Sequence, residues 1–269
     1  MQIANHKLQP GWYKQSPNHG GPLTKPSLLV MHFTASGGAG PLGDADYFLK
    51  PAAKASAHVV VGRDGAFRQV VPFNQKAWHA GRSIWRGRPN CNDYSIGIEI
   101  DNWGKLLRSA DGQIRSWTGE VVDSFRAAEL VHKHETSTSL WEIFNETQLL
   151  ATVGLTKAIL EHYPSIDEIV GHEDIAPRRK TDPGPAFPMS RFMSLAGGRD
   201  DVPVRTRKVG VASLNARGGP GLDFEALGTF AKGEKVKVIY DAPGEWAQVE
   251  GKIESGRSVT AWVWDAYLV

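Results

Sequence analysis

Leu28-Leu29-Val30-Met31-His32 is an unbroken apolar run that ends in a histidine. Four consecutive apolar residues predict a short buried strand. Thr34-Ala35-Ser36-Gly37-Gly38 follows, so the polar side chain stands at a strand end that opens into a Gly-rich loop. Binding and catalytic groups are often carried at such places. A histidine hydrogen-bonded within a core gives the same local pattern. Further along, His58-Val59-Val60-Val61 and Phe67-Arg68-Gln69-Val70-Val71 flank Arg63-Asp64-Gly65, which predicts a hairpin with an Asp-Gly turn. Tyr94 to Ile100 reads as another strand. Asn145-Glu146-Thr147-Gln148 has the form of a capping box with Asn as the cap. Behind it Leu149, Val153, Thr156 and Leu160 recur at helical spacing and stop before Pro164. Arg126 to Lys133 is predicted as a second helix. Strands and helices interleaved in this way define an α/β fold, a sheet with helices packed on it.

The chain of 269 residues is long enough for one large domain, or for a large and a small one. Its 41% hydrophobic residues supply a real core, which excludes wholesale disorder. The formal net charge of +2 gives no electrostatic case for nucleic acid or an anionic membrane as partner. Cys91 is the one cysteine, so intrachain disulfides and multi-thiolate zinc sites are excluded. No apolar run reaches the ~18 residues of a membrane span. Met1 to Pro10 alternates polar and apolar residues without the apolar stretch of a secretory signal, so cytoplasmic synthesis is the expectation.

Composition shifts at Ala196-Gly197-Gly198-Arg199-Asp200-Asp201, with Pro203 just beyond, and reads as a linker. It divides a domain at 1–196 from a tail at 205–269. In the tail Lys235-Val236-Lys237-Val238-Ile239-Tyr240 alternates at period two. Trp246-Ala247-Gln248-Val249 and Ala261-Trp262-Val263-Trp264 are short aromatic and β-branched runs. Gly218-Gly219-Pro220-Gly221, Lys232-Gly233-Glu234 and Ala242-Pro243-Gly244 separate the runs as turns, the pattern of a small all-β barrel.

Three places can carry chemistry. His32 is the first. Glu99 lies in Ser95-Ile96-Gly97-Ile98-Glu99-Ile100, where the isoleucines share one face and Ser95, Gly97 and Glu99 the other. Two small residues beside a carboxylate leave space above the sheet, where a raised pKa would suit a general base. A wet polar face on an edge strand gives the same alternation. The third is Gly171-His172 through Lys180-Thr181-Asp182-Pro183-Gly184-Pro185. Pro177, Pro183 and Pro185 deny this segment regular helix and stiffen it. Metal-holding loops need such rigidity. His172 and Asp182 with His32 would give two imidazoles and a carboxylate, three protein ligands that leave a fourth position open, as in catalytic zinc sites. No His-Glu-x-x-His pair occurs. His132 and His134 are two apart, which on a helix points them about 200° apart, so they read as solvated surface residues rather than partners on a metal.

Six ordered motifs over about residues 25 to 190 resemble one family. They are Val30-Met31-His32-Phe33-Thr34, Ala55-Ser56-Ala57-His58, Arg63-Asp64-Gly65, Ala77-Trp78-His79-Ala80-Gly81, Asn92 with Ser95-Ile96-Gly97-Ile98-Glu99, and Gly171-His172 through Pro185. They are similar to the zinc-dependent N-acetylmuramoyl-L-alanine amidases related to animal peptidoglycan recognition proteins. Leu214-Asn215-Ala216-Arg217-Gly218, Lys232-Gly233, Trp246, Trp262-Val263 and Tyr267-Leu268 resemble a bacterial SH3-like domain. The resemblance implies a mixed central sheet flanked by helices. It implies one Zn2+ held by His32, His172 and Asp182, with Glu99 as the catalytic carboxylate and Lys180 stabilising the oxyanion. It implies cleavage of the N-acetylmuramic acid–L-alanine amide in peptidoglycan or muropeptide, and an SH3-like tail that binds cell wall. His58 then reads as structural and His79 as lining the groove. Trp85, Trp103 and Trp117 are candidates for stacking on sugar, or ordinary core residues. The rival reading is a non-catalytic peptidoglycan-binding protein. Such relatives keep the fold but lose metal ligands, and here all three are present together with Glu99 and Lys180.

Overall fold

The computed structural model describes residues 1–37, 40–197, 206–218, 221–222, 224–241 and 246–269. The chain folds as two units. The first comprises Met1–Gly104, Val131–Thr138 and Phe144–Gly197, the second Lys105–Leu130, Ser139–Ile143 and Gly198–Val269.

The apolar runs of the first unit assemble a six-stranded sheet. Its strands are β1 (Trp12–Tyr13), β2 (Leu28–Phe33), β3 (Val59–Val61), β4 (Phe67–Gln69), β5 (Ser95–Ile100) and β6 (Glu168–Gly171), in spatial order β6-β2-β5-β3-β4-β1. β2 runs parallel to β6 and β5, and β5 parallel to β3. The β3–β4 hairpin is antiparallel, so the sheet is mixed. Gly65 in the hairpin turn has φ +77°, a conformation open to glycine because it has no Cβ. Leu28, Leu29, Val30, Met31, Ile96, Ile98 and Ile100 are buried, as parallel strands covered on both faces require. β5 is paired on both sides, so Glu99 does not sit on an edge strand.

The helices are α1 (Gly40–Phe48), α2 (Glu146–His162), α3 (His172–Ile175) and α4 (Met189–Ala196). The capping box forms as the sequence predicts. Gln148 N–H donates to Asn145 Oδ1 at 2.8 Å, and Asn145 N–H to Gln148 Oε1 at 3.3 Å. Leu149, Val153, Leu155, Thr156 and Ile159 form the buried side of α2. Gln148 also donates to the Asp101 carbonyl just beyond β5 at 2.6 Å, tying the helix start to the sheet.

In the second unit, six antiparallel strands make a small all-β sheet. They are Thr206–Lys208, Ser213–Arg217, Ala226–Ala231, Lys235–Asp241, Trp246–Lys252 and Ser258–Trp264. Leu214, Ala216, Phe230, Val236, Val249 and Val263 are among the residues of its core. The linker stretch from Gly198 through Pro203, the start of the tail at Arg205, and the turn residues Gly219-Pro220 and Ala242-Pro243-Gly244 lie outside the described residues.

The predicted second helix is instead a strand, Ala127–Val131. It belongs to a four-stranded sheet with Thr138–Glu142, Lys105–Arg108 and Ile114–Arg115. Ala127 and Ala128 are buried there, and Arg126 pairs with the fully buried Glu142. Pairing with partner strands overrides the helix propensity of Arg126 to Lys133. This insert also completes the all-β unit. The Phe125 carbonyl accepts from Gln248 Nε2 at 2.7 Å and from Trp262 Nε1 at 3.4 Å, and Ser124 Oγ donates to the Gly218 carbonyl at 2.9 Å. The tail therefore folds with residues from the middle of the chain. Truncation after Gly197 removes these partners. In the shortened chain trypsin should cut between Lys105 and Arg126 under conditions that leave the full chain intact, and the melting temperature should fall. Unchanged protease resistance of 105–143 would show that the insert stands without the tail.

Candidate active site

His32, His172 and Asp182 are drawn from three places onto one point. His32 lies near the end of β2. His172 opens α3 where β6 ends. Asp182 returns through the rigid loop, where its carbonyl accepts from Glu173 N–H at 2.9 Å. A Cβ on Gly171 would lie 2.7 Å from Pro183 Cδ, so only glycine lets this loop close against β6. His32 Nδ1, His172 Nδ1 and Asp182 Oδ2 are 2.9 Å apart in each of the three pairs. The residues are 1%, 2% and 6% exposed.

Burial pushes the His32 pKa down to about 4; repulsion from His172 adds to this, and Asp182 only partly opposes it. Burial alone would raise the Asp182 pKa, but the His172 and His32 rings, which hydrogen-bond to it whenever they carry a proton on Nδ1, hold the carboxyl well below its usual range. Ala80 O lies 3.1 Å from His172 Nε2 and can only accept; Arg179 Nη2, 3.4 Å from the same nitrogen, spends its protons on the Ala80 and Arg82 carbonyls at 2.8 Å each, so the proton belongs on Nε2 and the lone pair on Nδ1. The donor set of imidazole nitrogens and a carboxylate oxygen is what a borderline divalent cation takes. Its ligand atoms all lie within 4.8 Å of one another, so these residues fit a metal ion.

Glu99 pairs in register with His32 across β5 and β2. Its Oε2 is buried with no hydrogen-bond partner among the described residues. Burial raises its pKa well above the usual carboxylate value. Asp182 raises it further, Lys180 opposes, and Asp44 adds to the rise. Lys180 follows α3, where its N–H donates to the Ala176 carbonyl at 3.1 Å. Its charge is felt at both Glu99 and His32. All five residues singled out in the sequence thus share one electrostatic neighbourhood.

The space above Ser95 and Gly97 is filled by His79, which is buried rather than lining an open groove. A Cβ on Gly97 would lie 2.5 Å from His79 Cγ. His79 Nδ1 is 2.9 Å from His32 Nε2. Asn92 Oδ1 accepts from the backbone N–H of His79 at 3.1 Å and of Ala80 at 2.8 Å, which joins two of the sequence motifs. His58 is structural: Nε2 donates to the Gln75 carbonyl at 2.9 Å and Nδ1 accepts from Gly97 N–H at 3.0 Å.

Three features were not legible in the sequence. Asp44 is buried, hydrogen-bonded by the Ser36 hydroxyl, and acts on Glu99. A lone acidic residue in a helix carries no signal of this. His132 is also buried, not solvated. Its Nε2 lies 2.6 Å from Glu173 Oε2, while Lys133 Nζ bridges Glu173 at 2.8 Å and Asp174 at 2.6 Å. This pair clamps α3 beside His172. The correction follows from the strand at Ala127–Val131, which delivers His132 to α3. The tryptophans differ among themselves: Trp103 is buried against Gly37, Trp85 Nε1 donates to Glu168 at 2.7 Å, and Trp117 is 66% exposed.

Comparison with known proteins agrees with this fold. Residues 22–185 match the N-acetylmuramoyl-L-alanine amidase family, and residues 212–269 match the bacterial SH3 domain. A similar relative is the 1,6-anhydro-N-acetylmuramyl-L-alanine amidase AmpD of Enterobacter cloacae. It is 34% identical over 213 residues, which is 72% of this chain and 95% of that protein. The N-acetylmuramoyl-L-alanine amidase AmiD of Escherichia coli (strain K12) is 32% identical over 172 residues, 61% of this chain and 51% of the relative. The crystal structure of a selenomethionine derivative of AmpD superposes with a TM-score of 0.53 at 30% identity, covering 72% of this chain and 99% of that one. The chain belongs to the N-acetylmuramoyl-L-alanine amidase family and carries a bacterial SH3 domain. It is an amide-bond hydrolase. Among the described residues no helix is long and apolar enough to cross a membrane.

The raised pKa of Glu99 has a consequence for stability. A carboxyl that holds its proton more tightly when folded destabilises the fold once it ionises. That cost is absent below the unfolded pKa of about 4.3 and grows as pH rises towards the folded value. In the metal-free protein Glu99→Gln should therefore raise the melting temperature near neutral pH by about 2 °C or more, the effect of roughly 1 kcal/mol in a domain of this size. The gain should vanish near pH 4. Calorimetry at both pH values checks it; equal melting temperatures at neutral pH would remove the desolvation argument.

Proposed function

We propose that the protein is a zinc hydrolase cleaving the amide between N-acetylmuramic acid and the L-alanine of the peptidoglycan stem peptide. The observation that carries this reading is the convergence of His32, His172 and Asp182, with the unpartnered oxygen of Glu99 on the strand beside His32. His32 and His172 would hold one Zn2+ through Nδ1, and Asp182 through Oδ2. When bound, zinc supplies a Lewis acid and lowers the pKa of its water from ~9 towards ~7.

The rest of the chemistry falls to this chain's side chains. Glu99, poised by burial to hold a proton above the usual carboxylate range, takes one from the attacking water and returns it to the alanine nitrogen as the C–N bond breaks. A positioned general base contributes roughly 10²–10⁴-fold. Lys180 offers its ammonium to the oxyanion that forms at the carbonyl; loss of such a group costs about 10²–10³ in rate. In domain terms, residues 1–196 carry the catalytic set and 205–269 the wall-binding module, with Lys105–Leu130 and Ser139–Ile143 folding with the latter. The relatives are named as 1,6-anhydro-N-acetylmuramyl-L-alanine and N-acetylmuramoyl-L-alanine amidases, which supports this substrate class. An SH3-like unit adds a second contact, which raises local concentration on a polymeric target.

Purified active protein should contain one zinc per chain, and His172→Ala should lose both metal and activity. Glu99→Gln should keep zinc while kcat falls by at least ~10². Metal analysis with mass spectrometry of products from sacculi and from soluble muropeptides checks both. Full activity in a zinc-free, chelator-treated preparation would refute the metal mechanism, and a Glu99→Gln variant of normal kcat would remove Glu99 from it.

A further inference from the structure

Hydrogen bonds around His32 form a chain whose far end is a backbone carbonyl. Ser95 Oγ lies 2.6 Å from the Cys91 carbonyl, which can only accept, so the hydroxyl proton is committed there. His79 Nε2 lies 3.1 Å from the same Ser95 Oγ, which must then accept. That puts a proton on His79 Nε2 and a lone pair on its Nδ1. His79 Nδ1 is 2.9 Å from His32 Nε2, so His32 carries its proton on Nε2 and donates it. The one lone pair left on His32 is on Nδ1, the atom that faces His172 Nδ1 and Asp182 Oδ2.

We infer that His79 is a positioning residue that selects the ligating nitrogen of His32, through a fixed proton order running from the Cys91 carbonyl by way of Ser95. The inference rests on the metal reading proposed above. Three features of the structure hold the relay in place. Gly97 leaves room for the imidazole over the sheet, since any Cβ there would meet the ring at 2.5 Å. Asn92 Oδ1 fixes the His79 backbone from beneath. The His79 and His32 rings meet nearly edge-on, 5.0 Å between centroids at 83°, an orientation compatible with one ring nitrogen donating to the other. The next residue treats the second imidazole in the same way, because the Ala80 carbonyl fixes the His172 tautomer. One dipeptide, His79-Ala80, therefore sets the donor atom of both histidine ligands.

Partners that orient a metal-ligating histidine typically contribute 10- to 100-fold in metal affinity. The test compares full-length wild type, His79→Phe and His79→Asn. Phenylalanine keeps a ring in the space over Gly97 but offers no acceptor. Asparagine restores an acceptor and a donor on a short side chain. Zinc affinity, measured by competition with a chromogenic chelator, should weaken about 10- to 100-fold in His79→Phe and recover most of that loss in His79→Asn. Long-range ¹H–¹⁵N NMR of the zinc-loaded wild type should show protons on Nε2 of both His32 and His79. A proton on His79 Nδ1 overturns the inference. So does wild-type zinc affinity in His79→Phe, or equal losses in both variants that track a fall in melting temperature. Wild-type protein that takes up no zinc overturns the metal reading and the inference together, which separates that failure from the others.

Discussion

Two imidazole nitrogens and a carboxylate oxygen, each 2.9 Å from the other two and nearly sealed from water, are the constraint that orders the first unit. Electron-pair donors crowded in this way repel unless a cation or a proton lies among them, and burial removes the water that would otherwise screen them. The surrounding structure holds them there regardless. Gly171 lets the rigid loop close, the Asp182 carbonyl ties back to α3, and His132 with Lys133 grips α3 through Glu173 and Asp174. The first two contacts are local to the loop and the third reaches it from 41 residues away, so the loop is held from both sides, which is what a precise site needs.

Parallel pairing does the rest. Because β2 and β5 run in the same direction and in register, His32 and Glu99 emerge side by side near the carboxyl ends of the strands, where open α/β sheets place their sites. The small residues Ser95 and Gly97 on the same face admit the His79 ring between strand and ligand. Glu99 is left with one buried oxygen that has no hydrogen-bond donor among the described residues. Asp182 and Asp44 raise its hold on a proton, and Lys180 moderates it. A carboxyl raised in this way costs stability, and in the proposed role it favours proton transfer, a common exchange at catalytic centres.

Much of this was written in local sequence. The apolar run at Leu28, the Asp64-Gly65 turn, the Asn145 capping box and the alternation around Glu99 each specify their element within a few residues, because turn and cap chemistry are local. The stiff loop after His172 announced itself through its prolines. What escaped depended on distant partners. Arg126 to Lys133 has a passable helix composition, yet pairing with Thr138–Glu142 makes Ala127–Val131 a strand. His132 followed that error, since as a helix residue it had no reason to be buried. His79 could be placed in a motif but not in contact with His32, because their separation of 47 residues is bridged only by the sheet. The small residues at 95 and 97 did signal a space. They did not say what would fill it.

The Phe125 carbonyl waits for donors that come 123 and 137 residues later. On a ribosome adding about 5–20 residues per second, that is on the order of ten seconds during which the insert has emerged without its partners. The alanine pair at Ala127-Ala128 and the buried Arg126–Glu142 pair have to tolerate that interval. Synthesis therefore runs out of step with architecture. The middle of the chain is finished by its end, and until then 105–130 and 139–143 are open to aggregation and proteolysis.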